Sequence, residues 1–175
     1  MKKYLGSIIS GAIGILTFVF LSIPQFVMSS EMMDIAEKKN AWDFFNADAA
    51  EAMNEINGFG FYKFAVIALA IVAGLLIVSA VLMLLKNLSV LKLNINLNMI
   101  NNIVLAVYAL VAILALIAFF VLGADMKAVM GEEVIAMIEA MGGSVYLGPA
   151  AGAWINASIG AVGCAAGWLF ARKAD

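Results

Sequence analysis

Asparagine amides are the side chains in this sequence best suited to chemistry inside an apolar protein. Asn98, Asn101, Asn102 and Asn156 lie in or beside long apolar segments. An amide both donates and accepts hydrogen bonds, so it can replace part of the water around an ion or a solute. The four residues are therefore candidates for lining a polar pathway. We favour a structural role, as links between helices or contacts to lipid headgroups, because Asn156 falls at a different depth of the predicted membrane from the other three.

Methionine thioethers are the second group with a potential chemistry. Eight of the eleven methionines fall on or beside one predicted side of the membrane, namely Met28, Met32, Met33, Met53, Met126, Met130, Met137 and Met141. Thioethers are soft ligands that suit Cu(I). Met126 with Met130, and Met137 with Met141, have the four-residue spacing of one helical face. Because no histidine or cysteine accompanies them, we expect a packing or partner-binding surface and no metal site.

Catalytic side chains are scarce. The sequence has no histidine and a single cysteine, Cys164, which excludes histidine-ligated haem, the usual zinc sites and a disulfide within the chain. Cys164 has no base or cation near it in the sequence, so we expect a small buried residue and not a nucleophile. We predict no enzyme activity and no cofactor. A lipid-active enzyme is the least favoured hypothesis, because no pair of nucleophile and base is visible.

The composition indicates that lipid surrounds most of the chain. Of the 175 residues, 65% are hydrophobic and 13% are charged, whereas soluble domains are about half apolar and a quarter charged. Uncharged runs predict four membrane-spanning helices, at 5–27, 64–85, 103–122 and 147–170. The basic start before the first run is also typical of a signal peptide, but the run is long for one, and we prefer a retained helix. The predicted fold is an all-α integral membrane protein with a four-helix bundle.

The connections between the spans predict the orientation. Lysine and arginine favour the cytoplasmic side, and the basic residues that fall together are Lys2, Lys3, Lys86, Lys92, Arg172 and Lys173. The acidic connections 29–60 and 124–146 fall on the opposite side. We therefore expect a multi-pass protein of the cell membrane with both termini in the cytoplasm. The net charge of −2, with basic residues scattered singly or in pairs, argues against nucleic acid as a partner.

Short amphipathic helices are predicted in both outer connections. Asp48 to Glu51 has the spacing of a capping box, and 125–141 carries an apolar stripe at helical intervals. In the cytoplasmic connection 86–102, residues 91–99 alternate as a strand would. The same segment can be a helix with asparagines on one face, and we prefer the helix because it leads directly into the third span.

Small residues recur at helical spacing in the first and fourth spans. Such rows let helix backbones approach closely, which is what drives helix association in lipid. We expect the two rows to be partners, either within one chain or between chains. The candidate helix-packing residues are Gly6, Ser10, Gly14, Gly148, Gly152, Gly160, Gly163 and Gly167.

The layout of four helices, cytoplasmic ends, a longer first outer loop and a shorter second one resembles the claudin-type tetraspan proteins. The first loop of that family carries a Trp, Gly-Leu-Trp and paired-cysteine pattern. Here Trp42 stands alone and the loop has no cysteine. The resemblance therefore implies a topology and no junction or pore function.

These observations lead to two functional hypotheses. None of the four spans contains an Asp, Glu, Lys or Arg, which argues against a proton-driven pump and against small multidrug transporters that use an intramembrane carboxylate. The leading hypothesis is a non-enzymatic scaffold or accessory subunit that contacts membrane lipid and assembles as a homo-oligomer or with another membrane protein. The alternative is a passive channel or small-solute carrier formed by the oligomerised bundle.

Overall fold

The computed structural model describes residues 2–31, 35–46, 53, 56–92 and 94–172, and these are mostly helical. The helices are α1 (Lys2–Leu21), α2 (Asn57–Asn87), α3 (Leu97–Met130), α4 (Glu132–Ala140) and α5 (Ala151–Arg172). The strands are β1 (Pro24–Ser30), β2 (Ile35–Asn40) and β3 (Val145–Pro149), and a short 3-10 turn covers Asp43–Phe45.

Three helices among the described residues are long and apolar enough to cross a membrane: Tyr4–Leu21, Asn57–Asn87 and Leu97–Met130. They confirm the expectation of a membrane protein. The fourth predicted span, 147–170, corresponds to α5, which is not among these three. Its glycines, alanines and Asn156 make it less apolar than the others, and its crossing of the membrane stays a prediction.

The first helix is shorter than expected. It ends at Leu21, whereas the sequence predicts a span to residue 27. Pro24 explains the difference, because proline disfavours helical backbone at the residue before it, and from Pro24 the chain runs as a strand. By contrast, α2 and α3 contain the predicted spans 64–85 and 103–122 and extend beyond both ends of each.

A three-stranded antiparallel sheet corrects the expectation that the fold is all-α. Its strand order is β2-β1-β3, with Ser30 opposite both Ile35 and Val145. The strand 24–30 overlaps the end of the first apolar run, 5–27, so the hydropathy pattern does not distinguish it from the helix before it. Its partner β3 lies more than 100 residues away in sequence, where no local pattern can indicate the pairing.

The amphipathic segments of the two connections have different outcomes. The predicted helix behind the capping box at 48–51 lies largely outside the described residues. The predicted stripe 125–141 is divided between the end of α3 and α4, with a break at Gly131. Gly131 has a φ of +84°, a conformation that side-chain-bearing residues rarely adopt, and this redirects the chain between the two helices. In the connection 86–102, the preferred helix over 91–99 is wrong for the described residues before Leu97, which are not helical, and the helix begins at Leu97.

The chain divides into two compact units. The helical unit comprises Met1–Val19, Ile67–Ile113 and Asn156–Asp175, and the sheet unit comprises Phe20–Val66 and Leu114–Ile155. In the helical unit, bulky side chains such as Ile71, Leu75, Leu110 and Val162 are exposed, while small residues such as Gly14, Ala73 and Gly160 are buried. A helix that is apolar on every side needs an apolar surrounding, so these exposed side chains are suited to lipid.

The sheet unit has a core of large aromatic side chains. Phe26, Phe44, Phe59, Tyr62 and Phe119 are each at most 3% exposed. Their ring centroids lie 5.1–6.4 Å apart where they are in contact, in edge-to-face and stacked arrangements. The Tyr62 hydroxyl donates a hydrogen bond of 2.9 Å to the Ala41 carbonyl, which satisfies its polar group in this apolar core.

Candidate functional site

The small residues of α1 pack against α2. A Cβ atom at Gly14 would lie 2.7 Å from the Ala73 carbonyl oxygen, so the two backbones are in close contact there. At Gly6 the nearest neighbour is Met83, which is also on α2. Ser10 is fully buried, and its Oγ has no hydrogen-bond partner among the described residues. This row therefore faces α2, not the row of the fourth predicted span as expected.

The small residues of α5 divide between two neighbours in the helical unit. A Cβ at Gly160 would lie 3.0 Å from the Ala112 Cβ on α3, and one at Gly167 would overlap Leu105 of α3. Gly163 instead accommodates Ile13 of α1. These three positions are therefore contacts within the chain, as candidate helix-packing residues should be.

Gly148 and Gly152 belong to the sheet unit, so the predicted row does not continue to its N-terminal end. Gly148 lies in β3, beside the Tyr146 ring. Gly152 lies in the first turn of α5 and leaves room for the Gln25 side chain, and a Cβ there would come within 2.6 Å of the Pro24 carbonyl oxygen. Both glycines therefore lie where the sheet is followed by α5.

An open apolar groove of about 410 Å³ runs between α1 and α5 in the helical unit. The Ser158 hydroxyl is the polar side-chain group of its wall. Ala12, Ser158 and Ala166 have small side chains, which leave space along the groove. The lining residues are Ile9, Ala12, Ile13, Leu16, Ser158, Ile159, Val162, Gly163 and Ala166. We treat this groove as the candidate functional site.

The four asparagines proposed for a polar pathway have different surroundings. Asn101 is buried and accepts a 2.9 Å hydrogen bond from the Ser79 hydroxyl, which links α3 to α2. Asn156 is buried in α5, Asn102 is half-buried and Asn98 is exposed. Asn98 lines a cleft of about 80 Å³ in which the Lys86 ammonium donates to the Ile95 carbonyl. The hydrogen bond from Ser79 favours a structural role for Asn101, as a link between α2 and α3.

A buried pair of hydroxyl groups joins α1 to α3, and the sequence analysis did not identify it. Thr17 Oγ1 and the Tyr108 hydroxyl lie 2.6 Å apart, and Thr17 Oγ1 also lies 2.8 Å from the Ile13 carbonyl that accepts from it. Both side chains are fully buried. A hydroxyl within an apolar span needs a partner, so Thr17 in the first span and Tyr108 in the third were a detectable signal.

Two further polar residues organise the sheet unit, and sequence reasoning did not single them out. Gln25 is buried in β1, and its side-chain amide donates to the carbonyls of Phe20 and Ile23. Asp125 accepts a 2.6 Å hydrogen bond from the backbone N–H of Gly58, in the first turn of α2. A carboxylate at a helix N-terminus satisfies a donor that the helix leaves unpaired, and it favours the positive end of the helix dipole.

Comparison with known proteins gives no match for this chain among family models, curated proteins or solved structures. Its function must therefore be inferred from its own geometry.

Proposed function

We propose that this chain is a non-enzymatic membrane scaffold or accessory subunit that assembles laterally through the groove between α1 and α5. In this proposal α5 is the fourth membrane span, both termini are cytoplasmic, and the connections 29–60 and 124–146 are extracytoplasmic. The observation that carries the proposal is the groove itself, an apolar groove of about 410 Å³ that is open along α1 and α5.

The shape and lining of the groove suit a transmembrane helix. Small side chains let a neighbouring backbone approach closely, and helix association in lipid depends on such van der Waals packing because lipid tails are as apolar as leucine. Ser158, Val162 and Ala166 follow one another at four-residue spacing along the α5 wall, and Val162 is 68% exposed. A ridge of a second helix can lie between this row and Ala12 of α1.

The test fills the groove without disturbing contacts inside the chain. Ala12→Leu and Ala166→Leu add bulk to the two walls, and Ala106→Leu, on an exposed position of α3, is the matched control. The oligomeric state of each full-length protein is measured in bilayers, and crosslinking in native membranes follows the same variants. We expect wild type and Ala106→Leu to assemble equally and the groove variants to dissociate. A wild-type protein that is monomeric in bilayers and captures no partner on crosslinking refutes the proposal.

The topology has its own test. Reporter domains fused to the two termini should both report the cytoplasm, and a tag inserted in the 124–146 connection should be accessible from outside. Termini on opposite faces of the membrane would exclude α5 as a fourth span and would remove its groove wall from the bilayer.

A further inference from the structure

An exposed apolar stripe runs from the end of α3 along α4. We call Met130, Val134, Met137 and Met141 the methionine stripe: Met130 ends α3, Val134 and Met137 lie three residues apart on one face of α4, and Met141 follows the last residue of α4. All four are exposed, Met137 by 63%. Ile138, which follows Met137 on α4, is buried, and α4 contacts β3. The stripe residues beside it stay exposed.

The position of the stripe along α3 places it above the lipid. The predicted span 103–122 fills a hydrocarbon core of about 30 Å. The helix continues unbroken to Met130, and the eight residues after 122 add about 12 Å along its axis. Each headgroup layer is only about 5–8 Å thick, so α4 begins at or beyond its outer surface. A helix tilt of about 20° changes this height little.

The charge around the stripe also argues against lipid as its cover. Helices that lie on a bilayer usually carry lysine and arginine on their polar face. The polar side chains of α4 are instead Glu132, Glu133 and Glu139, all exposed. The two connections 29–60 and 124–146 together hold eleven of the twelve acidic residues of the chain and three lysines, a net charge of −8.

We propose that the methionine stripe binds a cationic amphipathic helix of a partner protein on the extracytoplasmic side. This inference rests on the proposed function, since it gives the chemistry of the subunit's partner. Apolar anchors of the partner helix would lie on Met130, Val134 and Met137, whose thioethers and methyl groups adapt to different shapes. Lysine or arginine on the flanks of that helix would face Glu133 and the acidic surroundings, which attract it over a distance.

The test uses the full-length protein in nanodiscs of zwitterionic lipid. The probe is a synthetic amphipathic helix of leucine and lysine, and a scrambled peptide of the same composition is its control. Binding to empty nanodiscs is subtracted. We expect the double variant Val134→Ser with Met137→Ser to weaken binding at least about tenfold, since two apolar contacts are lost. Ala136→Ser, at an exposed position off the stripe, should leave binding unchanged.

Electrostatics give a second readout. Reversing charge with Glu133→Lys should weaken binding of the probe several-fold at low salt, and the difference from wild type should shrink as salt is raised. Binding that is equal for the scrambled peptide, or unaffected by the Val134 and Met137 substitutions, overturns the inference. A lipid cover is detected separately with a nitroxide attached through Met137→Cys in a Cys164→Ala background. Quenching by a water-soluble reagent supports the proposal, and access to oxygen alone overturns it.

The two proposals can fail separately. Loss of peptide binding with lateral assembly intact refutes only the methionine stripe as a docking surface. Loss of assembly in native membranes, with peptide binding intact, refutes the groove and leaves the stripe as a receptor for a soluble partner.

Discussion

The helical unit and the sheet unit differ in the side chains at their closest contacts. In the helical unit, Gly14 meets Ala73 and Gly160 meets Ala112, while isoleucine, leucine and valine are displayed outward. In the sheet unit, Phe26, Tyr62 and Phe119 fill the interior. Lipid explains the first arrangement, because apolar side chains gain nothing there by leaving the surface, and close backbone contact is what remains to hold helices together.

The two units also differ in their hydrogen bonds. The helical unit uses side-chain pairs between helices, Thr17 with Tyr108 and Ser79 with Asn101. The sheet unit relies on strand ladders and on polar side chains bonded to backbone, such as Gln25 and Asp125. Strands and chain turns leave backbone groups that need partners, whereas a membrane helix satisfies its own. The following substitutions test this contrast.

The largest effect is expected in the aromatic core. Phe26→Ala should lower the free energy of unfolding by about 3–5 kcal/mol, because it leaves a cavity against Phe44 and Phe119. Phe64→Ala is the matched control, since Phe64 is 67% exposed and should change stability little. Reversible unfolding in mixed micelles measures both. Equal losses for the two variants would contradict the aromatic core as the basis of the sheet unit.

The next effect concerns close helix packing. Gly14→Ala should destabilise the protein by about 1–3 kcal/mol, because its methyl group would meet the Ala73 carbonyl and Ile77 on α2. Gly74→Ala has no neighbour within 4 Å of the new methyl group and should be neutral or slightly stabilising. The same unfolding measurement separates them, and a tolerated Gly14→Ala would show that α1 and α2 do not depend on backbone contact.

A smaller effect is expected at the start of α2. Asp125→Ala should lower stability by about 0.5–2 kcal/mol, the usual range for losing a side chain that caps a helix. Asp125→Asn keeps an acceptor oxygen and should retain most of the stability. Hydrogen exchange at the Gly58 amide gives a local readout: exchange should accelerate in the alanine variant. Unchanged exchange would mean that Asp125 does not hold this helix end.

The smallest effect is expected for the hydroxyl pair of α1 and α3. Tyr108→Phe should cost about 0.6 kcal/mol and no more than about 1.7 kcal/mol, the range measured for hydrogen bonds between membrane helices. A double-mutant cycle with Thr17→Val isolates the pair, because Thr17 also bonds the Ile13 carbonyl. A coupling energy of zero would show that this hydroxyl pair adds no net stability to the contact between α1 and α3.

Predictions from sequence succeeded where hydropathy alone decides the structure. The apolar runs 64–85 and 103–122 lie within α2 and α3, because hydropathy and the absence of charge act over one segment at a time. The start of α3 at Leu97 was not predicted, although the Asn96 side chain, which accepts a hydrogen bond from the Met99 N–H, is a local signal for a helix start.

The sequence did not indicate which surfaces of the chain pack against one another. Gly6 and Gly14 are recognisable as a packing row, but a row does not say whether α2 or α5 covers it. Helices that are apolar on every side have no amphipathic pattern that would indicate their inward face. Gln25 was missed because its importance lies in carbonyls that the fold brings to it. Thr17 and Tyr108 could be noticed as hydroxyl groups within apolar spans, but only the fold shows that they bond each other.

By itself the sequence determined that the chain is a mostly helical membrane protein with its acids concentrated in two connections, because charge and hydropathy are summed along a segment. Only the tertiary structure decided that β1 lies between β2 and β3, that α1 faces α2 through glycine, and that a groove remains between α1 and α5. These depend on contacts between residues far apart in sequence, where shape and hydrogen bonding select among arrangements of equal hydropathy.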